Sequence, residues 1–123
     1  MKKLFLLPIL LASLHLVAQV TCDPVFPTQS GTVTIFYNAT QGNAALTGVS
    51  PVYAHMGVIT TTSTSLTDWQ HVPTTWGIAD PVGTMQNVAP NIWKKTIVIN
   101  DFFNIQPGET VLKLAFVFRN QSG

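Results

Sequence analysis

Apolar and polar residues alternate with a period of two in several short runs of this chain. Thr32–Asn38 places Val33, Ile35 and Tyr37 on one side of an extended segment, the pattern of a strand with one buried face. Residues 52–60 send Val52, Ala54, Met56 and Val58 one way and Tyr53, His55 and Gly57 the other. Residues 84–88 form a short strand candidate, 92–99 a stronger one, and Val111–Arg119 the clearest. In that last run Leu112, Leu114, Phe116 and Phe118 are uniformly apolar, whereas the alternate set contains Lys113 and Arg119. The apolar set is therefore expected to face the core.

The connections carry turn chemistry. "NATQGN" and "TTTSTSLTD" predict polar loops, and "NDFFNIQPGE" predicts a compact connection, one helical turn long, closed by Pro107-Gly108. No helical period is evident after residue 18. Short strands, Pro-bearing turns and Thr/Val/Ile enrichment predict an all-β, immunoglobulin-like antiparallel β-sandwich. The chain stops just after its most strand-like run, so the sandwich is expected to lack its last strand and to continue beyond Gly123.

The start of the chain has a different pattern. "MKKLFLLPILLASLHLVA" joins a basic pair to an apolar run and a small residue. That is the layout of a secretory signal peptide, too short and wrongly flanked for a membrane span. Residues 1–18 are expected to be removed, leaving residues 19–123 as one exported module, secreted or held at the cell surface, with no membrane span. The single cysteine, Cys22, excludes an internal disulfide. The "QVT" ahead of it lacks the small pair usual before a lipidated cysteine.

Charge narrows the partners. Beyond residue 18 there are four basic residues, Lys94, Lys95, Lys113 and Arg119, against five acidic ones, a net charge of −1. Only Lys94 and Lys95 adjoin. No basic patch is dense enough to neutralise phosphates, so no nucleic-acid partner is expected.

Catalytic chemistry is hard to assemble from these residues. Glycoside hydrolysis uses two carboxylates flanking one bond, but Asp68, Asp80, Asp101 and Glu109 are scattered over loop and turn positions. His55 and His71 are accompanied by no GxSxG elbow and by no Cys or acidic cluster. No glycine-rich phosphate loop is present. Catalytic residues, metal and cofactors are all expected to be none.

The aromatic residues remain. A pyranose ring has an apolar C–H face that lies flat on Trp or Tyr, while Asn, Gln, His and backbone groups meet its hydroxyls. Tyr53, Trp69 and Trp76 have suitable types and lie in or beside one loop, with His55, Gln70 and His71 as polar neighbours. The alternative is that the tryptophans pack the core, as large aromatics usually do. Trp93, inside a strand, is expected to pack.

"VTIFYNATQGNAAL", "VYAHMGVIT", "DWQHVPTTWG", "NIWKKTI" and "KLAFVFRNQSG" occur in this order. Together they resemble the N-terminal module of secreted bacterial α-amylase-family glycoside hydrolases, which is similar to starch-binding modules with an immunoglobulin-like sandwich. The resemblance spans residues 20–123. It implies α-1,4-glucan recognition by Tyr53, Trp69 and Trp76, with His55 as an addition and Asn120 and Gln121 as polar contacts. It further implies an α-glucan polysaccharide or oligosaccharide as ligand and a covalently linked downstream catalytic domain as partner. A purely structural spacer is the competing reading, and a small catalytic domain ranks last.

Overall fold

The structure, a computed structural model, describes residues 18–123; the expected signal segment, apart from Ala18, lies outside the described residues. Strands β1 (Val20–Asp23), β2 (Thr32–Asn38), β3 (Tyr53–Thr60), β4 (Gln86–Ala89), β5 (Ile92–Val98) and β6 (Val111–Arg119) follow one another. A 3-10 turn at Pro81–Gly83 precedes β4, and α1, a single turn at Ile99–Phe102, follows β5. All pairings are antiparallel, in one sheet of order β1-β2-β5-β4 and a second of β3-β6. The protein is thus an antiparallel β-sandwich. Its order matches strands A-B-E-D and C-F of a constant-type immunoglobulin sandwich, in which a seventh strand lies beside the sixth. Among the described residues that position is open.

The core follows from the alternation. Val33, Ile35 and Tyr37 of β2 face Ala54, Met56 and Val58 of β3, and Trp93 and Ile97 join them from β5. Ile99 and Phe103 close one end. Lys95 is flanked by Trp93 and Ile97 on the same side of β5, yet its amine reaches the Thr84 carbonyl at 3.0 Å and lies over the Phe102 ring. A lysine stem can cover apolar surface while its head finds an acceptor. Burial holds the Lys95 amine below its ordinary pKa.

Several expectations about elements need correction. Leu112 was expected in the core but is 57% exposed. The register explains it: Ile59 pairs with Lys113 and Thr60 with Val111, so Leu112 is the extra residue of a β-bulge, which breaks the alternation at that point. Leu114, Phe116 and Phe118 are half-buried against the core. The strand expected at 84–88 begins at Gln86, because Pro81 opens a 3-10 turn capped by the Asp80 side chain and Thr84 ends it. Four-residue β1 was not foreseen. It holds Cys22, half-buried, with its thiol pKa raised by burial.

Candidate functional site

β3 is buried on both faces, which the alternation alone does not require. Its second face, bearing Tyr53, His55, Gly57 and Ile59, is covered by the connection 61–80. The covering is close: a Cβ on Gly57 would stand 3.0 Å from Trp69 Cβ, 3.0 Å from Val72 Cγ2 and 3.3 Å from the Gln70 carbonyl. Gln70 also exchanges two backbone hydrogen bonds with Val58, at 2.8 and 3.0 Å.

The polar residues of this connection are spent on holding its shape. Asp68 accepts from the backbone and hydroxyl of Thr64 and from Gln70 Nε2. Asp80 accepts from the backbone N–H of Thr75 at 2.8 Å and of Val82 at 3.0 Å, and these bonds hold its carboxyl below the usual range. Such side-chain-to-backbone bonds replace a strand ladder where none can form. His71 Nε2 lies 2.9 Å from Glu109 Oε1, tying the connection to the segment before β6. Glu109 is held below its ordinary pKa, first by the Gln106 N–H and then by His71.

These constraints bring Tyr53, His55, Trp69 and Trp76 together, with Arg119 among them. His55 lies between the two tryptophans, its ring centroid 6.0 Å from Trp69 and 5.3 Å, edge-on, from Trp76. Thr74 Oγ1 accepts the Met56 N–H at 3.1 Å and shares a 2.8 Å hydrogen bond with His55 Nδ1. Burial, and secondarily the positive charge of Arg119, lower the His55 pKa. The Arg119 guanidinium lies 5.2 Å from the Tyr53 centroid and 5.6 Å from that of Trp76. It donates to the carbonyls of Thr75, Ile78 and Asn120. A planar guanidinium can stack on rings and reach several carbonyls at once.

The candidates differ in access. Trp76 is 52% exposed, Trp69 is half-buried with Nε1 donating to the Leu66 carbonyl, and Tyr53 is 7% exposed next to Arg119. Asn120 Oδ1 accepts from Ser122 N, Ser122 Oγ and Gly123 N, so it shapes the final turn, which packs beside Trp76. Gln121 is exposed in that turn. Trp93 is buried at the centre of the sandwich, as expected.

Arg119 and Thr74 are the members of the cluster that sequence reasoning missed. The available signal for Arg119 was a cation ending a largely apolar strand that holds one other, Lys113; Thr74 stood beside an equivalent threonine, Thr75. No group of three or more His, Cys, Asp or Glu that could hold a metal occurs among the described residues, and no described helix is long and apolar enough to cross a membrane. The family described as "Domain of unknown function (DUF8578)" matches residues 20–123, and the chain belongs to it. No curated protein matches the chain.

Proposed function

We propose that this member of the DUF8578 family is a non-catalytic carbohydrate-binding module, with α-1,4-glucan as its ligand class. The observation that carries the reading is Trp76: a half-exposed indole on a loop pinned by Arg119, with His55 edge-on to it and Trp69 beyond. A large apolar ring held rigid at the surface loses little entropy when a sugar stacks on it. Trp69 supplies a second aromatic edge, and Gln121 and the backbone of the final turn supply polar contacts. Tyr53 supports the platform from beneath through Arg119. The α-glucan assignment rests on the sequence resemblance, as does a linked glycoside hydrolase whose local substrate concentration the module would raise; export rests on the signal-peptide pattern of residues 1–18.

A structural spacer is the second reading. It is favoured by how many of the cluster's polar groups, among them Thr74 Oγ1, Trp69 Nε1 and the Arg119 Nη atoms, are satisfied internally. Affinity electrophoresis in soluble starch separates the two. The parent is expected to be retarded, and a folded Trp76→Ala variant to bind roughly 2–12-fold more weakly, the equivalent of about 0.5–1.5 kcal/mol for one aromatic contact. Trp69→Ala is expected to weaken binding less. No retardation of the parent, or equal retardation of all three proteins, leaves the spacer standing.

A further inference from the structure

The hydrogen bonds around His55 fix where its proton sits. Thr74 is buried, and its Oγ1 accepts the Met56 N–H at 3.1 Å. The hydroxyl's own hydrogen then has one acceptor among the described residues, His55 Nδ1 at 2.8 Å. That nitrogen must therefore present a lone pair, and the neutral ring carries its proton on Nε2. The ring so fixed stands between Trp69 and Trp76, edge-on to the latter.

The charged surroundings oppose a second proton. From β6 comes Arg119, whose charge acts on the ring, and, farther along opposite Ile59, Lys113. The connection 61–80 brings Asp68, His71 and Asp80, but each is engaged elsewhere. Asp68 accepts from Thr64 and Gln70, His71 meets Glu109, and Asp80 accepts from the Thr75 and Val82 N–H groups. Tyr53 shares the strand face with His55, and Pro81–Gly83 carries no titratable group. Aromatic rings can hold a cation, but Arg119 already lies over the Trp76 ring.

We propose that the charge of His55 switches the aromatic face: the neutral ring wedges Trp76 in place, and the protonated ring releases it with any glucan stacked there. A solvent proton taken up at Nδ1 turns that acceptor into a donor. The Thr74 O–H and the new N–H then point at each other, so the buried hydroxyl loses its acceptor or the ring swings out. The added charge also sets His55 against Arg119, which holds the Thr75 and Ile78 carbonyls on either side of Trp76. Either movement unseats the indole. The His55 pKa lies below its ordinary 6.5, so the face is assembled at neutral pH and dismantled as pH falls through the lowered value. The ligand class rests on the carbohydrate reading, the switch only on the residues around His55.

The test pairs NMR of the isotope-labelled protein with affinity electrophoresis in soluble starch, both from pH 8 downward. At pH 8 the imidazole nitrogen shifts should show His55 Nδ1 without a proton, and NOEs should join the His55 and Trp76 rings. Below the His55 midpoint those NOEs should disappear while the buried Trp93 indole signal stays in place, showing an intact core. One pH unit below the midpoint about one tenth of the rings are neutral, so the parent's apparent affinity for starch should fall about tenfold. In His55→Gln, neutral at every pH, it should change less than about twofold over the same range, whatever its value at pH 8. A proton on Nδ1 at pH 8, NOEs that survive protonation, starch binding that persists in the parent after they vanish, or equal losses of binding in the two proteins would each overturn the switch. NOEs lost as expected, with no retardation by starch at any pH, would support the switch and count against the carbohydrate reading alone.

Discussion

At the scale of single residues, the cluster on the second face of β3 depends on small and buried groups more than on its tryptophans. Gly57 is where the connection 61–80 lies closest to the sheet. Gly57→Val should lower the unfolding free energy by about 1–3 kcal/mol, as overpacking does, and shift the environment of Trp69. Urea unfolding and tryptophan emission check both. Thr74→Val would strip the Met56 N–H and His55 Nδ1 of their shared partner. The expected cost in the same assay is about 1–3 kcal/mol, the penalty for buried groups left unsatisfied. His55 adds a pH dependence. Its folded pKa lies below the unfolded value near 6.5, so the unfolded chain takes up its proton first. The His55 contribution is complete above pH 6.5 and is lost as pH falls through the lowered folded value. Glu109, also lowered, keeps its contribution above its ordinary 4.5 and loses it only below. The urea midpoint should therefore fall between pH 7.5 and pH 5, and fall less in His55→Gln. Equal slopes in the two proteins would remove His55 as the cause.

At the scale of elements, the period-two pattern located β2, β3, β5 and β6 because each has at least one face against the core. It misplaced Leu112 because a bulge changes which side of the strand a residue occupies without changing its hydropathy. Leu112→Ala is accordingly expected to stay within about 0.5 kcal/mol of the parent. Met56→Ala, which empties a fully buried site on the neighbouring strand, should cost about 2–5 kcal/mol. Denaturant midpoints with unchanged slopes check the pair; a large cost at Leu112 would mean the bulge is misplaced. The short β1 escaped detection because four residues, "VTCD", give too little alternation to distinguish a strand from a terminus.

At the scale of the whole molecule, the three tryptophans sample three environments. Trp93 is 4% exposed in the core, Trp69 is half-buried under its loop, and Trp76 is 52% exposed. Acrylamide should quench the emission in at least two fractions. Trp76→Phe should remove the most accessible one, and soluble starch should protect it in the parent. A single inaccessible fraction would contradict the exposure of Trp76.

By itself the sequence determined the fold class, most strand positions and the inward face of β2 and β3. Burial of apolar surface acts on every second residue of a strand, and that periodicity is written locally. The sequence also brought Tyr53, His55, Trp69 and Trp76 forward as one candidate set. Only the tertiary structure decided how they divide. Whether a tryptophan lies in the core, under a loop or at the surface depends on what packs on the far side of its segment. For Trp76 that is Arg119, more than 40 residues away along the chain. Which backbone groups of β6 face away from β3 was likewise beyond sequence reasoning, because it is set by the partner strand's own hydrogen bonds to Gln70 and Thr74.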